Sequence, residues 1–391
     1  MNISSNRRTA RLAAVAVVSA GALLTTAALA LPASAQPQSS HHTLFVRQIA
    51  FGADLHHKYQ ANGKGAWHTE TLTQPDDIST LDGRLYVGFQ NATGPQGEPS
   101  ADGNLDSTIV EFTLYGKEVR QWDVPGHADG VTADPLTGKV IVTVNEDANS
   151  SLFTISAASG HLTHYAYNKP LPHKGGTDAI SIYHGQILIS ASAPGTTGTA
   201  PKGAPAVYVV SLNPWTKIAT VRALFNDNST AKAVNGPHAG TNVTLALTDP
   251  DSNEVVPHAS PKFGGDFMLD SQGDRELIFD QPHSWGGGAS LSVLAITRSV
   301  DDTSWATSHF GALYITDATA DTVDQVTGWF PIGTAYSSVT PCDENGAPAT
   351  CPGPGFPANY LATVNLTTGA LTKVALSGAA LQPKGQIFIR F

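Results

Sequence analysis

Apolar and polar residues alternate with a period of two in short runs along most of this chain. Leu85-Tyr86-Val87-Gly88-Phe89, Val140-Ile141-Val142-Thr143-Val144, Gln186-Ile187-Leu188-Ile189-Ser190 and Ala312-Leu313-Tyr314-Ile315-Thr316 each read as one strand. A second class of run is a hairpin. Ser107 to Val124 turns at Tyr115-Gly116, Ser151 to Tyr167 at Ser159-Gly160, and Ala206 to Leu224 at Asn213-Pro214. Phe267 to Phe279 turns at Gln272-Gly273, and Tyr360 to Ala375 at Thr368-Gly369. Shorter turns, at Leu81-Asp82-Gly83, Pro135 to Gly138 and Pro250-Asp251-Ser252-Asn253, are expected to join inner pairs of strands. No amphipathic helical pattern follows the first 35 residues.

Proline-led turns punctuate these runs at Pro75, Pro125, Pro172, Pro237, Pro282 and Pro383. Three of the strands after them open alike, as Asp77-Ile78-Ser79, Asp129-Gly130-Val131-Thr132 and Asp178-Ala179-Ile180-Ser181. Most intervals are near the length of one four-stranded blade, about 40–50 residues. The pattern predicts an all-β fold, a six-bladed β-propeller. Seven blades is the alternative, because the interval from Pro282 to Pro383 is long enough to hold one more. The last inner strand, Gln386 to Arg390, has no chain after it to supply outer partners. Closure by pairing with N-terminal strands such as Thr43 to Phe51 is therefore expected, which removes open sheet edges.

Arg7, Arg8 and Arg11 followed by the Ala/Val/Leu run Leu12 to Leu31 and by Ala33-Ser34-Ala35 read as a secretion signal peptide over 1–35. Residues 36–391 are then the single propeller domain, secreted and with no further membrane span. Cys342 and Cys351 bracket a Gly/Pro-rich loop and are expected to form a disulfide in an exported chain. Charged residues make up only 14 % of the chain, with a formal net charge of −10 and no basic stripe, which excludes nucleic acid as the expected partner. A monomer that meets a small polar molecule, or an extracellular or envelope partner, is expected.

In a propeller the inner strands start on one face and the loop after each second strand returns there. Asp77, Asp129, Asp178 and Asn242 are thus expected around one mouth of the channel, with Asn145 on a returning loop beside Glu146 and Asp147. Converging carboxylate and amide oxygens suit a divalent cation such as Ca²⁺. His127, His173, His238 and His283 follow proline turns at the same mouth, and His127 and His173 are the candidates for proton transfer. An architectural reading stands beside this one. An Asp at a strand start also accepts N–H bonds in its own turn, and a repeated His also bonds a neighbouring blade.

The run Ala128-Asp129-Gly130-Val131-Thr132-Ala133-Asp134 with Gly138-Lys139-Val140-Ile141-Val142 resembles the six-bladed propellers of the NHL and SMP-30/gluconolactonase type. Gln74 to Gly88 and Thr177 to Ser190 are looser copies. The resemblance implies a divalent metal held by a Glu, Asn and Asp set that polarises a lactone carbonyl and activates water. Asp129 matches the strand-opening Asp and Asn145 the second ligand, while Glu70 precedes the first proline turn. The Pro-Asn-Gly element of that type is absent, since Asn242 precedes Val243. Three readings stay open: a ligand-binding propeller, a metal-dependent lactone or ester hydrolase, and a non-catalytic structural or envelope interaction module.

Overall fold

The strand Lys139–Val144 shows how this chain builds its core. Val140, Val142 and Val144 point into one apolar cluster and Ile141 into the next. Phe267 and Leu269 likewise part from Met268, and Ala312 and Tyr314 from Leu313 and Ile315. A sheet covered on both faces explains why the runs are apolar throughout rather than strictly alternating. Each fully buried Val, Leu, Ile or Phe contributes roughly 1.5–3 kcal/mol.

The computed structural model describes residues 43–192, 203–281, 290–344, 347, 351 and 357–391, all within one unit, His41–Phe391. The signal-peptide segment, His283 and the Pro282 turn lie outside the described residues, as does the side chain of His173. Among the described residues there is no α-helix, and no helix is long and apolar enough to cross a membrane. Cys342 and Cys351 form a disulfide.

Antiparallel meanders make up the sheets. Pro75–Leu81, Arg84–Phe89, Asp106–Thr113 and Glu118–Pro125 form one in sequence order. Ala128–Asp134, Lys139–Val144, Ser151–Ser156 and Leu162–Tyr167 form the next. It joins Ile180–Tyr183, Gln186–Ser190, Pro205–Asn213 and Ile218–Asn226 through parallel pairing of the two outermost strands. Pro250–Val255 then leads Phe267–Ser271, Glu276–Gln281 and Ser290–Ala295, with Thr230–Ala233 and Asn242–Thr244 added outside. Val300–Trp305 leads Ala335–Val339, Tyr360–Val364 and Leu371–Lys373. The remaining sheet runs Gln386–Arg390, Gly311–Asp317, Thr322–Thr327, Leu44–Phe51 and Leu376–Gly378. The N-terminal and C-terminal strands thus share this sheet but do not pair directly. Two strands lie between them.

Six sheet-end strands, those beginning at Pro75, Ala128, Ile180, Pro250, Val300 and Gln386, touch one another in turn, and Gln386–Arg390 also touches Pro75–Leu81. Six apolar clusters each span two successive meanders, including one between the last and the first.

Two expectations about these strands change. The turn at Pro250 to Asn253 does not join an inner pair, because Pro250–Val255 is itself a sheet-end strand. The turn at Pro237 instead separates the short outer strands Thr230–Ala233 and Asn242–Thr244. The long interval before Pro383 has a topological cause. After Val300–Trp305 the chain crosses to the last sheet for Gly311–Asp317 and Thr322–Thr327, then returns to Ala335–Val339.

Candidate functional site

Each sheet-end strand begins with two residues left out of the ladder. The pairing of Pro75 with Phe89 resumes at Ile78, and equivalent shifts fall between Ala128 and Val131, Pro250 and Asn253, and Val300 and Thr303. Asp178-Ala179 and Lys384-Gly385 occupy the same place before Ile180 and Gln386. Such bulges aim side chains off the sheet edge. The first residues of the six pairs are Asp76, Asp129, Asp178, Asp251, Asp301 and Lys384, and all six line one narrow cavity of about 70 Å³. Five acids and one lysine therefore face a space that holds only a few waters.

The second residues do different work. Asp77 accepts from its own neighbour, Ile78 N, at 2.6 Å and from Val131 N of the next strand at 2.5 Å. Asp302 repeats this with Thr303 N and Gln386 N, both at 2.6 Å. These two carboxylates tie adjacent strands together through backbone N–H groups. Glycine is required at the same place after Asp129, since a Cβ on Gly130 would lie 2.5 Å from the carbonyl oxygen of Asp178.

Lys384 Nζ lies 2.5 Å from Asp301 Oδ1 and 3.3 Å from Asp76 Oδ1. Burial alone would depress its pKa, but Asp301 and Asp76 outweigh that and hold it well above the usual lysine value. The ammonium thus neutralises one side of the ring. On the other side Asp129, Asp178 and Asp251 are joined by Glu146, from the loop after Lys139–Val144. Gly176 permits this approach, because a Cβ there would collide with the Glu146 carbonyl oxygen. All four carboxyls are pushed well above the usual carboxylate range, first by burial; acidic neighbours add to this, while at Asp178 a hydrogen bond with Asp251 opposes it. One oxygen each of Asp129 and Asp178 is buried without any hydrogen-bond partner.

Donor atoms of Glu146, Asp178 and Asp251 all lie within 4.8 Å of one another, and so do those of His127, Asp129 and Glu146. The His127 ring is fixed by Nδ1, 2.7 Å from the carbonyl oxygen of Thr93. A carbonyl only accepts, so Nδ1 carries the hydrogen and Nε2 presents a lone pair, 3.4 Å from Asp129 Oδ1. Burial lowers the His127 pKa to about 4, which keeps the ring neutral. A cation fits this donor set: acidic oxygens, one imidazole lone pair and two orphaned buried oxygens.

Asp129, Asp178 and His127 come together here. Asp77 reaches the cavity wall with both oxygens committed to the backbone. Asn145 stands behind it, its amide accepting from His127 N at 2.9 Å and donating to the Asn149 carbonyl at 3.2 Å. Asn242 does not open a sheet-end strand. It is exposed on the outer strand Asn242–Thr244, away from the cavity lining. His173 lies in the short 3₁₀ turn His173–Gly175, and His238 is exposed in the turn before Asn242. Glu70 is held at 2.8 Å by His57 on a separate hairpin. Sequence reasoning placed Glu146 on a returning loop at this mouth without naming it a ligand, and missed Asp76, Asp251, Asp301 and Lys384 as ring members. The signal was present in Pro250-Asp251, Val300-Asp301 and Pro383-Lys384, each aligned with Pro75-Asp76.

No protein-family model matches this chain, and no curated protein does. Among solved structures it is similar to a putative 6-phosphogluconolactonase from Bacteroides fragilis, at 13 % identity and a TM-score of 0.45, covering 90 % of this chain and 99 % of that one. It is also similar to the periplasmic gluconolactonase of Pseudomonas aeruginosa, at 11 % identity and a TM-score of 0.45, covering 89 % and 99 %. A third is the β-propeller domain of Cps50 (Swd1) from Myceliophteria thermophila, at 11 % identity and a TM-score of 0.37, covering 84 % and 95 %. Likeness at this level says nothing about activity.

Proposed function

We propose that this chain is a secreted, six-bladed β-propeller that holds a divalent cation such as Ca²⁺ at one mouth of its central channel and binds a small polar ligand there. The observation that carries the reading is the triad Glu146, Asp178 and Asp251, within 4.8 Å, with a buried Asp178 oxygen lacking any partner. Lys384 attracts Asp129, Glu146 and Asp251 but is paired with Asp301 and Asp76, so the four crowded acids still repel one another, and a cation removes that cost. The six sheet-end strands in mutual contact support the blade count and a closed ring. A cavity of about 70 Å³ is far below the 300 Å³ or more that encloses a drug-sized molecule. An organic ligand therefore rests above the cation rather than inside the channel.

The test is calorimetric titration of the chelator-treated mature protein with Ca²⁺ and Mn²⁺. Binding that Asp178→Asn and Asp251→Asn each weaken by at least tenfold is expected. A folded protein that binds neither ion would leave a purely architectural module, with a structural or envelope partner, as the surviving account.

A metal-dependent hydrolase of lactones or related esters is the second reading. It is favoured by the neutral His127 ring, whose Nε2 lies 3.4 Å from Oδ1 of the cavity-lining Asp129. A cation bound there would polarise a carbonyl. Hydrolysis of simple lactones that stops with chelator and falls at least a hundredfold in His127→Ala would select it.

A further inference from the structure

Resting on the cation reading above, the geometry points to two cations side by side at this mouth, with Glu146 as the carboxylate they share. The donors fall into two triads, and Glu146 is the member common to both. One triad is all oxygen: Glu146, Asp178 and Asp251. The other adds the His127 nitrogen to Asp129 and Glu146.

Each triad contains its own buried orphan. Asp129 and Asp178 are 3 % and 6 % exposed, both line the cavity, and one oxygen of each has no partner. A single ion at the all-oxygen triad would leave the Asp129 side unexplained. There Asp129 Oδ1 faces His127 Nε2 at 3.4 Å, and Nδ1 already holds the ring hydrogen against Thr93. Either a proton or a cation can bridge these two atoms, and the Mn²⁺ titration below separates the two. Gln90 Nε2 reaches Asp129 Oδ1 at 3.1 Å but does not touch its other oxygen.

Charge and space agree with two ions. Asp129, Glu146, Asp178 and Asp251 carry four negative charges when ionised, which two divalent ions balance. Lys384 is already engaged by Asp301 and Asp76. The cavity has room for about five waters, enough for two ions roughly 3.5–4 Å apart with a water or two. The triads also differ in chemistry. Oxygen alone suits Ca²⁺, Mg²⁺ or Mn²⁺, whereas a nitrogen and two carboxylates also suit Zn²⁺. Giving His127 Nε2 to an ion withdraws it from proton transfer, so this inference and the hydrolase reading compete for the same atom.

The test is titration of the chelator-treated mature protein with Mn²⁺, read by bound metal per chain and by electron paramagnetic resonance. Two Mn²⁺ per chain with an exchange-coupled spectrum are expected. His127→Ala and Asp251→Asn should each leave one ion and no coupling, and Glu146→Gln should abolish coupling. The spectrum of the unaltered protein decides the matter even where a variant fails to fold. One uncoupled Mn²⁺ per chain would overturn the pair and leave the single-cation reading standing. No bound Mn²⁺ would overturn the pair, and no bound Ca²⁺ in a parallel titration would overturn the single-cation reading as well.

Discussion

Lys384 donates to Asp301 at 2.5 Å from the one place in the ring where a sheet-end strand begins with something other than aspartate. Its ammonium also reaches Asp76 at 3.3 Å, so a single side chain neutralises the acids on both flanking strands. Lys384 is one-third exposed, so water screens the charges left behind, and losing its hydrogen bonds to charged partners costs about 1.5–3 kcal/mol. Lys384→Met should therefore destabilise the protein by about that amount in denaturant titration. Asp301→Asn in the Lys384→Met background should cost much less than Asp301→Asn alone. Strictly additive losses would show that the pair is not coupled.

The acids of the cavity make stability depend on pH in an unusual direction. Burial raises Asp76 to about 6, Asp302 to about 7 and Glu254 to about 8. A carboxyl with a raised pKa binds its proton more tightly when folded. Its stabilising contribution is present at low pH and is lost as pH rises from the unfolded value, near 4, through the folded one. Protein freed of cations should thus lose melting temperature between about pH 4 and pH 8. Saturating Mn²⁺ should flatten that slope, because the ion replaces protons on the neighbouring acids. Parallel slopes with and without Mn²⁺ would contradict a cation at Glu146, Asp178 and Asp251.

A second pH-dependent contact holds the hairpin His56–Gln60/Trp67–Thr71. His57 is 1 % exposed, with Nε2 at 2.8 Å from Glu70 Oε1 and Nδ1 at 3.2 Å from Asp123 Oδ1. Carboxylates accept, so both nitrogens must carry hydrogen and the ring is an imidazolium. Burial disfavours that charge, but Asp123 and Glu70 outweigh it and raise the pKa above 6.5. Asp106, itself raised by burial, adds to the negative surroundings. The contribution is complete below about pH 6.5 and disappears as pH rises through the folded value. Hydrogen bonds to charged groups contribute about 1.5–3 kcal/mol each. Amide exchange in the hairpin, corrected for its intrinsic pH dependence, should accelerate relative to the sheets between pH 6 and pH 9. His57→Gln should remove that difference. Equal protection at both pH values in the unaltered protein would refute the imidazolium.

The all-β character and the acidic openings at Asp129 and Asp178 were legible because period-two runs and a repeated Asp-x-apolar start each have a direct structural cause. The disulfide was legible for a similar reason, as two cysteines bracket one short loop. Asp251 and Asp301 were hidden by their strands. Pro250-Asp251-Ser252-Asn253 has the composition of a turn, and only the bulge opposite Asp270 turns it into a strand start. Val300-Asp301 lacks the leading proline. The ring position of Lys384 was hidden because its side chain reverses the charge expected from the repeat. Glu146 lies in a loop, where spacing gives no direction for a side chain. Asn242 was drawn into the set by the Pro237 turn, which belongs to an outer pair of strands.

Asp270 is the odd member of a second repeat. The residues opposite the six bulges are Gly88, Thr143, Ser190, Asp270, Ser338 and Thr316. Three of the four hydroxyls are engaged there, while that of Ser338 has no partner. Thr143 donates to the Asp178 carbonyl at 2.7 Å, Thr316 donates to the Asp76 carbonyl, and Ser190 accepts from Asn253 Nδ2 at 2.7 Å. Asp270 is wholly buried, and neither of its oxygens has a partner. Burial, followed by Asp251 and Asp301, raises its pKa well above the usual range. An ionised carboxylate in a place that elsewhere donates to carbonyls is unfavourable, and an unsatisfied buried polar group costs about 1–3 kcal/mol. Asp270→Ser restores the hydroxyl of the repeat. In cation-free protein it should raise stability by about 1–3 kcal/mol at pH 8 and by less at pH 5, where the native acid is closer to neutral. Denaturant titration at the two pH values measures both. A loss of stability at pH 8 would contradict this account and show that the fold accommodates the Asp270 carboxylate without cost.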